Sequence, residues 1–186
     1  FDASVVFKKS LGTRNIESYL GFNINKTKVG SDIRVPVAFE GAEEVIFNRE
    51  EIGRLEKGQP GYKLSFRNFY DVQKLRFQLN NTLFGPVTYF HPEDGNSNNW
   101  VLNEFTGNIE SRDQKFSPKI ITDLSIDYQF SSRVRAAIGG NNIINVYPDE
   151  HTHSSNTSNG NFIYSRRVGQ FGVQGANYFI KVAVKL

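Results

Sequence analysis

The chain has 186 residues, no cysteine and a net charge of +3, its 22 basic and 19 acidic residues mixed along the sequence. Thiol catalysis, disulfides and thiolate metal sites are thereby excluded, and with no basic block to follow a phosphate backbone, nucleic acid is not an expected partner. Hydrophobic residues make up only 38% while aromatics reach 13%; no run of about 18 apolar residues offers a transmembrane helix, although alternating barrel strands escape a hydropathy plot.

The chain opens on Phe1-Asp2-Ala3-Ser4 without a basic and apolar leader, so any export signal is expected to have been removed or to lie on a part of the protein beyond this sequence. Val5 and Phe7 then precede a turn at Leu11-Gly12-Thr13-Arg14. Leu20, Phe22 and Ile24 alternate with Tyr19, Gly21, Asn23 and Asn25. A long polar connection near 29–59 follows. It is expected to hold a short helix, because Asn48 with Glu51 three residues on resembles a capping box and Gly58 before Pro60 resembles a stop. Leu64 and Phe66 next oppose Lys63, Ser65 and Arg67; after a tight joint near Asp71-Val72, Leu75, Phe77, Leu79 and Leu83 alternate with Lys74, Arg76, Gln78, Asn80 and Thr82. A second long connection spans roughly 91–118. Leu124, Ile126, Tyr128 and Phe130 are then set against Asp123, Ser125, Asp127 and Gln129, and a hairpin at Ser131-Ser132-Arg133 leads to Val134, Ala136 and Ile138 against Arg135, Ala137 and Gly139. After a third long connection near 147–170, Tyr178, Ile180, Val182, Val184 and Leu186 alternate with Asn177, Phe179, Lys181, Ala183 and Lys185.

The reading is all-β: about seven antiparallel strands in one unit. Every second connection is long, as in outer-membrane barrels with short periplasmic turns and long extracellular loops. That orientation places the carboxy terminus on the inner side. The polar residues of the strands then face the lumen, where Lys74, Arg76, Asp123, Asp127, Arg135, Lys181 and Lys185 are candidates to meet an acidic partner surface or line a pathway. A solvated polar lumen accounts for them equally well. The outer loops carry Trp100, Tyr147, Tyr164 and Arg166, residue types that stack on or pair with an anionic, ring-bearing ligand, and His91, His151 and His153, residue types that can contact a metal or an iron complex. Interfacial girdle aromatics and ordinary exposed loop histidines are the plainer readings of these seven. No metal-ligand spacing, cofactor fingerprint, nucleophile elbow or paired catalytic carboxylates occur, so neither a metal, a cofactor nor an enzyme is expected.

The run Gly139-Gly140-Asn141-Asn142-Ile143-Ile144-Asn145-Val146-Tyr147-Pro148-Asp149 resembles the penultimate-strand motif of TonB-dependent outer-membrane receptors. Arg166-Arg167, Gln170-Phe171-Gly172 and Gly175-Ala176-Asn177-Tyr178-Phe179 are similar to the loop exit and closing strand of that family, especially in its Bacteroidetes-type members. Asn23-Ile24-Asn25-Lys26-Thr27-Lys28-Val29 and Asn81-Thr82-Leu83-Phe84-Gly85-Pro86-Val87 are similar to its strand-to-loop passages. Leu186 stands where such barrels usually end on an aromatic residue. The resemblance implies that residues 1–186 are the carboxy-terminal part of a plugged barrel of about 22 strands, whose plug domain and earlier strands lie elsewhere. It implies TonB-driven uptake of a scarce nutrient across the outer membrane of a Gram-negative bacterium, most commonly an iron complex such as a siderophore. The partners are then lipid, the other strands and plug, the TonB complex and the nutrient. Seven strands alone would leave two raw sheet edges, so the chain is expected either beside the remaining strands, as a nicked receptor or in an assembly, or as a curved open sheet. The alternative is a soluble β-sandwich or jelly-roll module, binding carbohydrate or another partner, with Leu79, Ile126 and Val182 as core; an all-β hydrolase is a distant third.

Overall fold

The computed structural model describes residues 1–30 and 35–185; Leu186, the last position of the closing alternation, lies outside them. In chain order the elements are β1 (Asp2–Leu11), β2 (Arg14–Ile24), α1 (Glu43–Ile46), α2 (Arg49–Lys57), β3 (Tyr62–Val72), β4 (Leu75–Phe84), β5 (Val87–Tyr89), β6 (Val101–Asn103), β7 (Asn108–Glu110), β8 (Gln114–Phe116), β9 (Lys119–Gln129), β10 (Val134–Asn141) and β11 (Asn177–Val184). Seven of these form one antiparallel sheet in the order β1-β2-β3-β4-β9-β10-β11, each long strand beside the next along the chain. The sheet is open, with β1 and β11 at its edges. No helix among the described residues is long and apolar enough to cross a membrane.

Short and long connections alternate as the sequence suggests. The first two hairpins turn through two residues each, Gly12-Thr13 and Gln73-Lys74. The second lies later than Asp71-Val72 because those residues still pair, Asp71 with Arg76 and Val72 with Leu75. Gly12 (φ 63) and Gln73 (φ 53) take the left-handed conformation that matches a tight turn to the twist of its strands. The third turn, Phe130 to Arg133, is held by Ser131, whose Oγ accepts the N–H groups of Arg133 and Val134.

Pairing register settles the faces, because successive side chains of a strand point to opposite sides. One face carries Val5 and Phe7, Leu20 and Phe22, Leu64 and Phe66, Leu75, Phe77 and Leu79, Leu124 and Ile126, Ala136 and Ile138, and Ile180 and Val182. This apolar face is not a core: Ile138 is 58% exposed, Ile180 76% and Val182 67%. The buried apolar cluster among the described residues is instead Val87, Tyr89, Phe116 and Val168, all in the long connections. Among the described residues no second sheet packs on the apolar face; the two further sheets there are the ribbons β5–β8 and β6–β7. The sandwich expectation of Val182 as core is therefore not met.

The opposite face is polar and laced with ion pairs: Lys8 to Glu17, Arg76 to Asp71 through two bonds of 2.6 and 2.9 Å, and Arg135 to Asp127 at 2.6 Å. Gly139 has a close-approach role here. It pairs with Phe179, and an added Cβ would lie 2.7 Å from that ring and 2.8 Å from Ser125 Cβ. The missing side chain lets the ring lie across the sheet, an aromatic cover over a strand glycine.

In the first long connection, Asn48 caps α2 by accepting the Glu51 N–H at 3.0 Å. Only half of a capping box forms, since the Glu51 carboxylate turns to Arg54. Gly58 ends the helix with a right-handed φ of −77°, so the left-handed stop common at glycine is not used. The second connection begins at Gly85, earlier than the expected 91, and holds β5 to β8, of which β6 to β8 fall where the sequence reading expects loop. The β5–β8 ribbon continues the β4–β9 hairpin in the same register beyond a gap at Gly85-Pro86 and Ser117-Pro118. Each proline lacks an N–H, so the ladder must break there. Gln170, reaching in from the third connection, closes the gap by donating from Nε2 to Gly85 O at 2.5 Å and Ser117 O at 2.9 Å. Gln170→Leu is expected to orphan both carbonyls and to cost about 2 kcal/mol in local opening of the ribbon, read by hydrogen exchange at residues 87–89 and 114–116.

Candidate functional site

The three long connections fold onto one another at a single end of the sheet. Helix α2 docks on the β5–β8 ribbon through Arg49, which donates to His91 O at 2.7 Å, grips Asp113 with both terminal nitrogens at 2.7 and 2.5 Å, and lies 4.8 Å from the Phe90 ring. Gly53, one turn on, lets Phe90 sit against the helix. Behind the ribbon Arg112 and Asp94 form a buried pair, and Asn103, 1% exposed, is a hub. Its amide donates to Glu110 and to Thr152 O, and its oxygen accepts from Phe105 and Ser154, tying the β6–β7 ribbon to the third connection.

The Asn-rich run after β10 makes the exit turn. Asn142 (φ 51) and Asn145 (φ 59) adopt the left-handed conformation that asparagine tolerates. Asn142 bonds Val146 through both ends of its amide, at 2.7 and 2.9 Å, while its own N–H goes to Asp123 at 2.9 Å. Asn145 Oδ1 accepts the Ala176 N–H at 2.9 Å and so stitches the loop's exit to its return.

Between these segments lies a pocket of about 270 Å³ whose walls come from all three connections. Glu50 of α2, Tyr89 and His91 of the second connection, and His151, Arg166 and Arg167 of the third define it. Tyr89 packs edge-on to both His91 and His151, each ring pair 6.4 Å apart. Arg167 Nε meets Glu50 Oε1 at 3.0 Å. Arg166 lies over the Phe162 ring at 4.1 Å and donates one bond, 3.0 Å, to Ser158 Oγ. Among the described residues its other donors find no acceptor.

Protonation states follow from the surroundings. Gln114 donates to Glu150 O and accepts the Thr152 N–H, so its oxygen faces His151 Nδ1 at 3.2 Å and that nitrogen carries the proton. His91 Nδ1 accepts the Glu93 N–H, which puts its proton on Nε2. Burial, joined by Arg166, pushes the His151 imidazole below its ordinary value. Burial, joined by Arg112 and opposed by Asp94, does the same at His91. Burial and the Glu50 carboxylate push the Tyr89 phenol up to about 12. Two neutral histidines and a neutral phenol thus line a pocket in which, among the described residues, the Arg166 guanidinium has no carboxylate partner.

A pH dependence follows. With the folded-state values of His91 and His151 depressed, the unfolded segment binds protons more readily. The stabilisation is then complete above the unfolded value near 6.5 and is lost as pH falls below it toward the folded values. Protection of residues 89–94 and 150–153 against hydrogen exchange, taken relative to the intrinsic rate at each pH, is expected to fall between about pH 7 and about pH 5. His91→Phe combined with His151→Phe should flatten that response.

Of the seven loop candidates, His91, His151 and Arg166 meet in the pocket. Tyr147 and Tyr164 stack on one another, centroids 6.0 Å apart and planes 6° off parallel. Trp100 sits beside the β6–β7 ribbon and is absent from the pocket wall. His153 is 2% exposed and buried in the loop layer, its Nδ1 accepting the Ser155 N–H, so it is not an exposed loop side chain. No group of three or more histidines and carboxylates among the described residues is arranged to hold a metal. Glu50, Tyr89 and Arg167 were not among the sequence candidates. Gly53 in mid-helix is the one sequence signal for Glu50, since it marks the face of α2 that packs closely and Glu50 lies on that face one turn before it.

Of the lumen candidates, Asp123, Asp127, Arg135 and Lys181 line a trough of about 450 Å³ on the polar face, with Lys181 4.2 Å from the Phe179 ring. Arg76 shares that face. Lys74 sits instead in the β3–β4 turn, and Lys185 lies just past β11, its N–H bonded to Arg133 O. Asp123 is engaged structurally by Asn80 at 3.0 Å and by the Asn142 N–H. No family model, curated protein or solved structure matches the chain.

Proposed function

We propose that the chain is part of the wall of an outer-membrane β-barrel, the carboxy-terminal part of a TonB-dependent receptor that imports a scarce nutrient, an iron complex being the cargo the resemblance implies. The observation that carries this is the exposed apolar face: seven strands of 8 to 11 residues carry a band of Val, Leu, Ile and Phe on one face, with no buried cluster behind it among the described residues, while the buried apolar cluster sits in the long connections. Strands of about 9 to 11 residues span a bilayer, and a lipid-facing wall needs no core behind it. In lipid the unpaired edges of β1 and β11 would be costly, since each unsatisfied backbone group costs several kcal/mol there, so the account requires further strands to close the barrel. The loop layer then lies on the outer surface, and its 270 Å³ pocket is below the roughly 300 to 1,000 Å³ of sites that enclose a whole small molecule. It suits one anionic arm of a larger cargo, held by Arg166 against the His91, His151 and Tyr89 rings. Fractionation of the whole protein tests the reading: recovery from detergent-solubilised outer membrane, in a form whose gel mobility changes on heating, is expected. Recovery as a soluble monomer would end it.

A further inference from the structure

The apolar face is interrupted at mid-wall by one polar patch. Ser18 and Asn68 are register partners on β2 and β3, and Asn81 and Thr122 on β4 and β9. Asn68 pairs across with Leu79, so Asn81, two residues along β4, is its diagonal neighbour at about 7–8 Å. The four side chains bond only two by two: Ser18 Oγ donates to Asn68 Oδ1 at 2.7 Å, and Thr122 Oγ1 donates to Asn81 Oδ1 at 2.8 Å. Among the described residues neither carboxamide Nδ2 finds an acceptor, so two amide donors face outward between Leu20, Phe66, Leu79 and Leu124.

Water would satisfy those donors at no cost, but in the hydrocarbon of a bilayer an unsatisfied amide is expensive. Resting on the membrane reading above, we infer that this patch is a contact between two copies of the protein within the membrane. Each carboxamide carries both a donor and an acceptor with a free lone pair. Two walls related by a two-fold axis can therefore exchange N–H···O bonds, Asn68 of one to Asn81 of the other and the reverse, with the flanking apolar side chains packed around them. The patch is complementary to itself and requires no other chemistry.

The test places Leu79→Cys, between the two amides, in the whole protein left in its outer membrane, where oxidation is expected to give a covalent species of twice the mass. Ile180→Cys, on the same face at the sheet edge, should give none. Adding Asn68→Leu and Asn81→Leu should lower the cross-linked fraction about tenfold, as expected when two interhelical-type polar contacts of modest strength are lost, while the protein stays membrane-inserted and heat-modifiable. A membrane-inserted protein that cross-links nowhere, equally at both sites, to a partner of another mass, or regardless of the asparagines overturns the inference alone. Recovery in the soluble fraction overturns the membrane reading and this inference with it.

Discussion

Asp94→Ala is expected to destabilise the loop layer by about 3–5 kcal/mol, the effect of leaving one half of a buried ion pair uncompensated. The Asp94 side chain is 0% exposed, and Arg112 reaches it from Nε at 2.8 Å and from Nη2 at 2.5 Å. The Arg112 backbone N–H and Ser111 Oγ complete its shell. Burial alone would raise this carboxyl, but the hydrogen bonds from Arg112 and Ser111 outweigh it and hold it below the ordinary carboxylate range. Without the carboxylate, a guanidinium that also supports Asn99 O loses its buried counter-charge and keeps only the solvent-exposed Glu93, at 3.2 Å. Because Asn156 bonds Arg112 O at 2.8 Å, the disturbance passes to the third connection and to the pocket. Proteolytic nicking or hydrogen exchange within 89–116 should accelerate on the order of a hundredfold or more. The exposed pair Glu51–Arg54 provides the contrast: Glu51→Gln should change little, as surface pairs contribute about 0–1 kcal/mol.

Ile138→Arg carries the second large effect and depends on what surrounds the sheet. Ile138 is 58% exposed and lies between Ile126 and Ile180 in mid-sheet. Were that face in water, an exposed substitution of this kind would stay within about 0.5 kcal/mol. In the lipid of a bilayer it should cost about 2–4 kcal/mol, falling toward the interfaces. Ala137→Arg, one residue away on the polar face opposite Asp127 and Lys181, should be far milder. Denaturant unfolding of the protein refolded in vesicles measures both, and equal effects at 137 and 138 would contradict a lipid-facing wall.

The sheet was legible because one physical demand acts along every long strand: one face apolar, one polar, so period two persists through β4, β9 and β11. The hairpins were legible because short turns interrupt that period sharply, and helix α2 because Asn48 announces its cap. The loop layer was not legible in the same way. Gly85-Pro86 and Ser117-Pro118 read as strand ends, whereas the ladder resumes beyond them with Gln170, distant in sequence, filling the gap. Three-residue strands such as β6 and β7 are too short to display a period. Asp94 and Arg112 look like solvated loop charges until the chain folds back, and Glu50 beside Glu51 gives no hint that one is buried and the other half-exposed. His91, His151 and Arg166 were visible as residue types, but their convergence depends on three loops meeting, which no local pattern encodes. His153 shows the converse, a loop histidine turned into the interior.

The apolar face of the sheet is expected to meet lipid. Spin labels placed singly at each position from 177 to 184 on β11, with the whole protein in bilayers, test it by comparing collision with oxygen and with a water-soluble nickel chelate. A lipid-facing wall gives a period of two, with positions 178, 180, 182 and 184 accessible to oxygen and shielded from nickel, and 179, 181 and 183 the reverse. Labels at 180 and 182 that meet nickel as freely as those at 181 and 183 would contradict it.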